Sequence, residues 1–236
     1  MSKERPMTCL KSNIRNLLFK FPGFLAGMSR IERNRSFSEF EKKYEGALKI
    51  SDDRMELHRS VRNKLENGPI DYLEFGVYSG KSFIPWLKEN TNPSSRFYGF
   101  DTFTGLPEDW HGNRPKGTFD VQESVPDTDG DKRATFIAGT FQSTLAKFLN
   151  GYNRDEAKTL VVHIDCDIFS GAIYALFNVE PYLKSGDIVI FDEFKDHNNE
   201  FFAFDIFVST TNVTLQPFIR SKSNNQWAFF VTKKDN

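Results

Sequence analysis

Leu57, Val61 and Leu65 recur every fourth residue behind Ser51-Asp52, which marks one apolar helix face after a helix-start signal. Asn67-Gly68-Pro69 stops that helix. Downstream the pattern changes to short apolar runs alternating with helical spacing. IDYLEFGV (70–77), RFYGFD (96–101), ATFIAGT (134–140), TLVVHID (159–165) and DIVIFDEF (187–194) read as five strands. SFIPWLKEN (82–90), STLAKFLNGY (143–152), AIYALFNVEPYLK (172–184) and EFFAFDIFVSTT (200–211) read as the helices between and after them. A long polar stretch from Thr102 to about Asp131, with several Gly and Pro, separates the second and third strands. TLQPFIRS and QWAFFVTK flank the Lys222–Asn225 turn and pair as a hairpin. Strands alternating with helices predict an α/β, Rossmann-like fold, a mostly parallel sheet with helices on both faces. The hairpin adds an antiparallel last strand at one edge. Several strands are nearly continuous in apolar residues, as strands buried on both faces are. Residues 1–50 form a basic arm dotted with aromatics and with weak helical periodicity. We expect short helices there, serving dimerisation or as a lid, ahead of a main domain over 51–236.

Composition narrows the setting. A chain of 236 residues with net charge −1 suits one α/β domain with extensions and gives no global reason to expect nucleic acid. Two cysteines, Cys9 and Cys166, make no disulfide framework and point to a reducing cytoplasm. The most apolar stretch, NLLFKFPGFLAGM (16–28), is interrupted by Lys20 and broken by Pro22-Gly23, so neither a membrane span nor a signal peptide is expected. The 25 phenylalanines read as core and pocket wall.

Ligands of open α/β sheets bind beyond the carboxyl ends of the strands, so the chemistry is sought there. The first strand runs into Glu74-Phe75-Gly76-Val77-Tyr78-Ser79-Gly80-Lys81-Ser82. Gly76 and Gly80 allow a tight turn and close approach of backbone to a ligand, and the following helix offers free N–H groups. The loop lacks the G-x-G-x-x-G spacing of a dinucleotide site, and Glu74 suits an ammonium or sulfonium better than a pyrophosphate. The second strand ends in Asp101, a position and distance suited to accepting hydrogen bonds from ribose hydroxyls. The alternative is that the glycines only turn the chain and Asp101 caps the next segment. The fourth strand ends in His163-Ile164-Asp165-Cys166-Asp167 and the fifth in Phe191-Asp192-Glu193. Carboxylates gathered at one rim repel one another unless a cation joins them. A hard divalent ion, Mg²⁺ by preference, with Asp165, Asp192 and Glu193 as ligands resolves that conflict; capping of the following helices is the competing role. A cation there would stabilise an acceptor hydroxyl as the alkoxide. Asp165 is the first choice of general base and His197 the second. His163 is read as structural and His111 as a substrate contact.

Together these residues resemble the macrocin O-methyltransferase family of class I S-adenosylmethionine (SAM)-dependent methyltransferases. The resemblance runs from about Asp71 to Val231, through DYLEFGVYSGKS (71–82), GFDTFTGLPEDW (99–110), AGTFQSTL (138–145), HIDCDIFSGAIYAL (163–176) and GDIVIFDEF (186–194). It implies a seven-stranded sheet of order 3-2-1-4-5-7-6, counted from IDYLEFGV, with strand 7 antiparallel. It implies SAM as methyl donor, a Mg²⁺-type ion, and a sugar or other small hydroxylated acceptor. It places Glu74, Gly76, Ser79, Gly80, Lys81 and Ser82 around the methionine end of SAM. Asp101, Thr102 and Phe103 would take the ribose and adenosine side, and Gly139, Thr140 and Phe141 would border the adenine. Asp165, Asp192 and Glu193 match the metal triad. Two positions depart from the family pattern. Glu193 stands where a second aspartate is common, and Ile168 stands where some related enzymes carry a basic residue. A nicotinamide-dependent oxidoreductase and a SAM-binding module without activity are the competing classes; the missing dinucleotide spacing opposes the first and the intact carboxylates oppose the second.

Overall fold

The computed structural model describes residues 22–112 and 114–233. The chain divides into two compact units, residues 1–43 and 44–236. Of the first unit, one helix is described, α1 (Pro22–Lys43), longer than the short helices expected. Pro22 opens it, where a missing N–H costs nothing, and Lys42 and Lys43 close it at the negative end of the helix dipole. The expectations for residues 1–21 lie outside the described residues.

The second unit is the α/β domain. Its elements in chain order are β1 (Lys49–Ser51), α2 (Arg54–Lys64), β2 (Ile70–Phe75), α3 (Phe83–Glu89), β3 (Arg96–Asp101), β4 (Ala134–Ala138), α4 (Phe141–Gly151), β5 (Thr159–Ile164), α5 (Phe169–Val179), β6 (Ile188–Phe191), α6 (Glu200–Thr210), β7 (Val213–Ser221) and β8 (Trp227–Lys233). The sheet has eight strands in the order β1-β7-β8-β6-β5-β2-β3-β4. Read from the other edge without β1, this is the expected 3-2-1-4-5-7-6 order. β8 runs antiparallel to both β6 and β7, and the remaining pairs are parallel. The fold is therefore the Rossmann-like methyltransferase type.

The extra strand is the difference from expectation. β1 is only three residues long, too short to show alternation, and it pairs in parallel with β7, Ser51 opposite Ser221. Helix α2 consequently starts later than the sequence suggests. Asp53 is the N-cap and accepts from the Glu56 N–H at 2.8 Å, while Glu56 reaches back to the Asp52 N–H at 2.7 Å. This reciprocal bonding satisfies donors that a helix start leaves open. The helix expected over 172–184 is shorter as well. α5 stops at Val179, and Pro181 sits in a separate 3₁₀ turn, Glu180–Tyr182, since proline cannot continue the α-helical bonding.

All six residues of β2 and all four of β6 are buried. Leu57 and Val61 of α2, with Trp86 and Leu87 of α3, pack with Tyr72, Phe97, Val161 and Ile190 in one cluster on one face of the sheet. On the other face Phe75 stacks on Phe100 and meets Phe141 of α4, and Phe191 meets Phe204 of α6. No helix among the described residues is long and apolar enough to cross a membrane.

Leu57 is fully buried where α2 meets the sheet. Leu57→Ala is expected to lower stability by about 2–5 kcal/mol, the cost of a buried cavity. Urea denaturation should show a lower midpoint at unchanged slope.

Candidate active site

The parallel ladders continue one residue past the strands. Gly76 N–H donates to Phe100 O at 2.9 Å, Asp165 N–H to Phe75 O at 2.9 Å and Asp192 N–H to Ile164 O at 3.0 Å. The residues just beyond β2, β5 and β6 are thus held in register at one rim. Gly76 is required there, because a Cβ at its φ of +98° would lie 1.8 Å from the Asp165 carbonyl oxygen.

A cavity of about 210 Å³ opens at this rim. Of the expected cofactor residues, Gly76, Lys81, Ser82, Asp101, Thr102, Thr140 and Phe141 line it, and Glu74, Ser79, Gly80, Phe103 and Gly139 do not. Glu74 is fully buried: its carboxylate accepts from the Tyr72 hydroxyl at 2.5 Å and from the Ser82 hydroxyl at 2.6 Å. It is a foundation beneath the loop, with its oxygens already engaged. Asp101 also serves its own scaffold. One oxygen accepts from Val77 N–H and Tyr78 N–H at 2.8 Å each, and the other from Phe103 N–H at 2.8 Å. Its carboxylate thereby fixes the two loops that flank it while facing the cavity.

The long polar stretch after β3 is ordered into a small hairpin. Leu106 N–H bonds Thr118 O at 2.8 Å, and Gly117 N–H bonds Leu106 O at 2.9 Å. Gly105, Leu106, Pro107, Arg114 and Phe119 from this segment form a wall of the cavity. Its tip docks on the loop after β6: the Trp110 indole N–H and the His111 ring each reach Asp196 at 3.1 Å. His111, expected to touch substrate, is thus paired with Asp196.

The carboxylate rim holds the main surprise. Asp165, Asp167, Asp192 and Glu193 all line the cavity, as does Arg54 from the first turn of α2. The Arg54 guanidinium bonds Asp165 Oδ2 through Nη2 at 2.5 Å and Asp192 Oδ2 through Nη1 at 2.9 Å. Burial opposes its charge, but Asp165 and then Asp192 outweigh that and raise its pKa. Two of the three expected metal ligands, Asp165 and Asp192, are thus bonded to Arg54. Among the described residues, two sets of three ligating side chains bring donor atoms within 4.8 Å of one another: His58, His163, Asp192 and Glu74, His163, Asp165. Asp165, Asp192 and Glu193 do not form such a set.

Neither set is open to a metal. The Trp86 indole N–H donates to His58 Nδ1 at 2.9 Å, so the proton of the neutral ring sits on Nε2. Burial, then His163 and Arg54, hold His58 neutral. His163 Nδ1 lies 3.0 Å from the Tyr72 hydroxyl, whose proton goes to Glu74. His163 is therefore structural in its surroundings, a buried ring bridging the Glu74 network and α2. His197 does not line the cavity.

Burial, then Glu193 and Asp192, push the Asp167 carboxyl up to about 7. Burial, then Asp192 and Asp196, push Glu193 up to about 7 as well. Burial, then Asp192, also push Asp165 up, against Arg54. Arg54, Asp167 and Arg114 are the charged cavity residues that sequence reasoning did not assign. A signal for Arg54 existed: a cation in the first turn of a helix stands at the wrong end of the dipole, so a specific partner is needed to hold it there.

A family model described as a methyltransferase domain matches residues 73–194. The chain belongs to this methyltransferase family. No curated protein matches the chain significantly. Among solved structures, the methyltransferase chain is similar to a calicheamicin methyltransferase at 20% identity, covering 76% of this chain and 80% of that one, with a TM-score of 0.59. It is similar to the O-methyltransferase NovP at 20% identity, covering 75% and 79%, with a TM-score of 0.55. It is also similar to a Bacillus cereus O-methyltransferase solved with S-adenosylhomocysteine (SAH) at 10% identity, covering 86% and 91%, with a TM-score of 0.53. At these identities the likeness is one of fold.

The raised carboxyls of this methyltransferase give its stability a pH dependence. Unfolded carboxyls release their protons near pH 4, whereas folded Asp167 and Glu193 keep theirs to about 7. Between those values the folded state holds more protons, so their contribution falls as pH rises. Asp167 has φ +65°, which asparagine tolerates. The melting temperature of Asp167→Asn should therefore gain on wild type between about pH 5 and about pH 8. A constant difference across that range would refute the assignment.

Proposed function

We propose that this methyltransferase moves a methyl group from SAM to a hydroxyl of a sugar or another small natural-product acceptor. The observation that carries the reading is the composition of one cavity. The Gly76 loop, Asp101 and the start of α4 bound it on one side, and carboxyls that titrate near neutrality bound it on the other. The resemblance to the macrocin O-methyltransferases supports the same reading. SAM, when bound, supplies an electrophilic methyl on a sulfonium.

The donor set fits SAM. Lys81 suits the carboxylate of its amino-acid end, Asp165 suits the ammonium, and Thr102, Thr140 and Phe141 suit the nucleoside. Asp101 keeps the loop rigid through its three backbone bonds, so little ordering is left for the moment of binding. Methyl transfer asks chiefly for in-line positioning. A hydroxyl acceptor also asks for a base with a pKa near the working pH. Glu193 and Asp167 meet that requirement on the cavity wall. Asp165, the first expectation, is engaged by Arg54, and His197 does not line the cavity.

The residues present do not fit Mg²⁺ as they stand. Two of the three expected ligands, Asp165 and Asp192, each give Oδ2 to Arg54, and the three do not converge. No step is assigned to a metal. We further propose a cytoplasmic location, on the cysteine count, and a homodimer through the amino-terminal arm.

Calorimetry should show SAM and SAH binding and no NAD binding; NAD binding without SAM would sink the reading. Labelled methyl from SAM, offered to nucleotide sugars and glycosylated natural products, should appear as an alkali-stable ether. Once an acceptor is found, Glu193→Gln should lower kcat by about 10²-fold or more while SAH affinity holds. An unchanged kcat would remove Glu193 from the base role.

A further inference from the structure

We propose that Arg54 is the resident cation of this rim: its guanidinium takes the position between β5 and β6 that a divalent ion would need, and the chain binds no such ion tightly. This goes beyond the proposed methyl transfer and rests on reading the rim as its acceptor side.

The geometry is that of one cation shared by two strands. Each terminal nitrogen of Arg54 bonds one carboxylate, Asp165 after β5 and Asp192 after β6. Nη2 also reaches the Ser82 hydroxyl at 3.3 Å. A divalent ion bound to the two aspartates would compete for the same Oδ2 atoms. It would also bring two positive charges against a guanidinium that cannot lose its own. At a few ångströms that repulsion is large even at the dielectric of a protein surface.

The arginine is delivered, not draped. Asp53 caps the helix whose first residue is Arg54. β1, three residues upstream, is bonded to β7, and the Ser51 hydroxyl bonds the Asp53 carbonyl at 3.0 Å. Leu57 and Val61 are fully buried one and two turns on. Moving Arg54 away would mean swinging a long side chain out of a wall whose backbone is fixed on both sides. The other oxygen of Asp192, Oδ1, is buried and has no hydrogen-bond partner among the described residues. Of the two rings that could be its metal co-ligands, His58 and His163, His58 carries its proton on Nε2, so the set of three is not complete. That back door is closed to a metal too.

The test is a titration of the chelator-treated full chain with Mn²⁺, followed by electron paramagnetic resonance of the free ion, with SAH present. Wild type should show no saturable site in the micromolar range. Arg54→Gln should bind Mn²⁺ at least about tenfold more tightly, a change of about 1.4 kcal/mol. Arg54→Gln combined with Asp192→Asn should lose that site. A wild-type site as tight as that of Arg54→Gln, or one abolished by Asp165→Asn or Asp192→Asn, would overturn the proposal. Should Arg54→Gln fail to fold by circular dichroism, the wild-type titration and the two aspartate variants still decide. SAH binding in the same samples separates the two claims, since its absence would count against methyl transfer and leave the Mn²⁺ result to judge Arg54.

Discussion

Parallel register is the constraint on which this molecule depends. β3, β2, β5 and β6 end within one residue of one another, with Phe100, Phe75, Ile164 and Phe191 aligned across the sheet. The next backbone bonds then lock Gly76, Asp165 and Asp192 into a single line. Side chains from positions more than a hundred residues apart meet because a parallel sheet allows no other arrangement of its carboxyl ends. Everything polar at the rim is a consequence, including the problem it creates: several carboxylates packed where water is scarce.

The two ends of the sheet solve that problem differently. At the amino end, Asp71 is fully buried but bonded by Arg96, Lys158 and the Tyr152 hydroxyl, and Arg96 and Tyr152 hold it below the usual carboxylate range against the cost of burial. Asp187 is likewise paired with Arg154. Each buried charge there has a counter-charge, and such a cluster is built to stay put. At the carboxyl end the carboxylates outnumber the cations that face them. Arg54 answers two of them, and the remainder respond by holding protons more tightly. Carboxyls held near neutral pKa beside a cavity are the groups from which acid–base chemistry near neutral pH draws.

The sequence made the sheet legible because the signals were local and repeated. The seven strands followed from apolar runs, helical spacing and the terminal hairpin, and their order came from the family resemblance. Gly76 could be read from its loop, since a glycine after a first strand has few other uses. Asp101 was legible as a residue of the site but not in its bonding, since its neighbours' backbone amides carry no signature in a side-chain pattern. Glu74 was misplaced for a related reason: the strand period tells which face it lies on, and not that Tyr72 and Ser82 had already taken its oxygens. The hairpin within 102–131 was hidden by composition, because Gly, Pro and Asp describe an ordered wall and a loose loop equally well.

Arg54 shows where pattern reading ends. Its partners are 111 residues and more away, and the strand that aims it is three residues long with no room for alternation. A reader weighing carboxylates by strand ends sees negative charge and misses the arginine, because that counter-charge comes from a helix that precedes the sheet in sequence. The counter-charge of a buried cluster is a property of the fold and must be sought over the whole chain before an outside ion is invoked. The same logic couples this rim to the domain edge. β1 and α2 carry the arginine, so packing at the outermost strand sets the charge balance at the innermost ones. The stability of that edge and the chemistry of the cavity are therefore linked through one side chain.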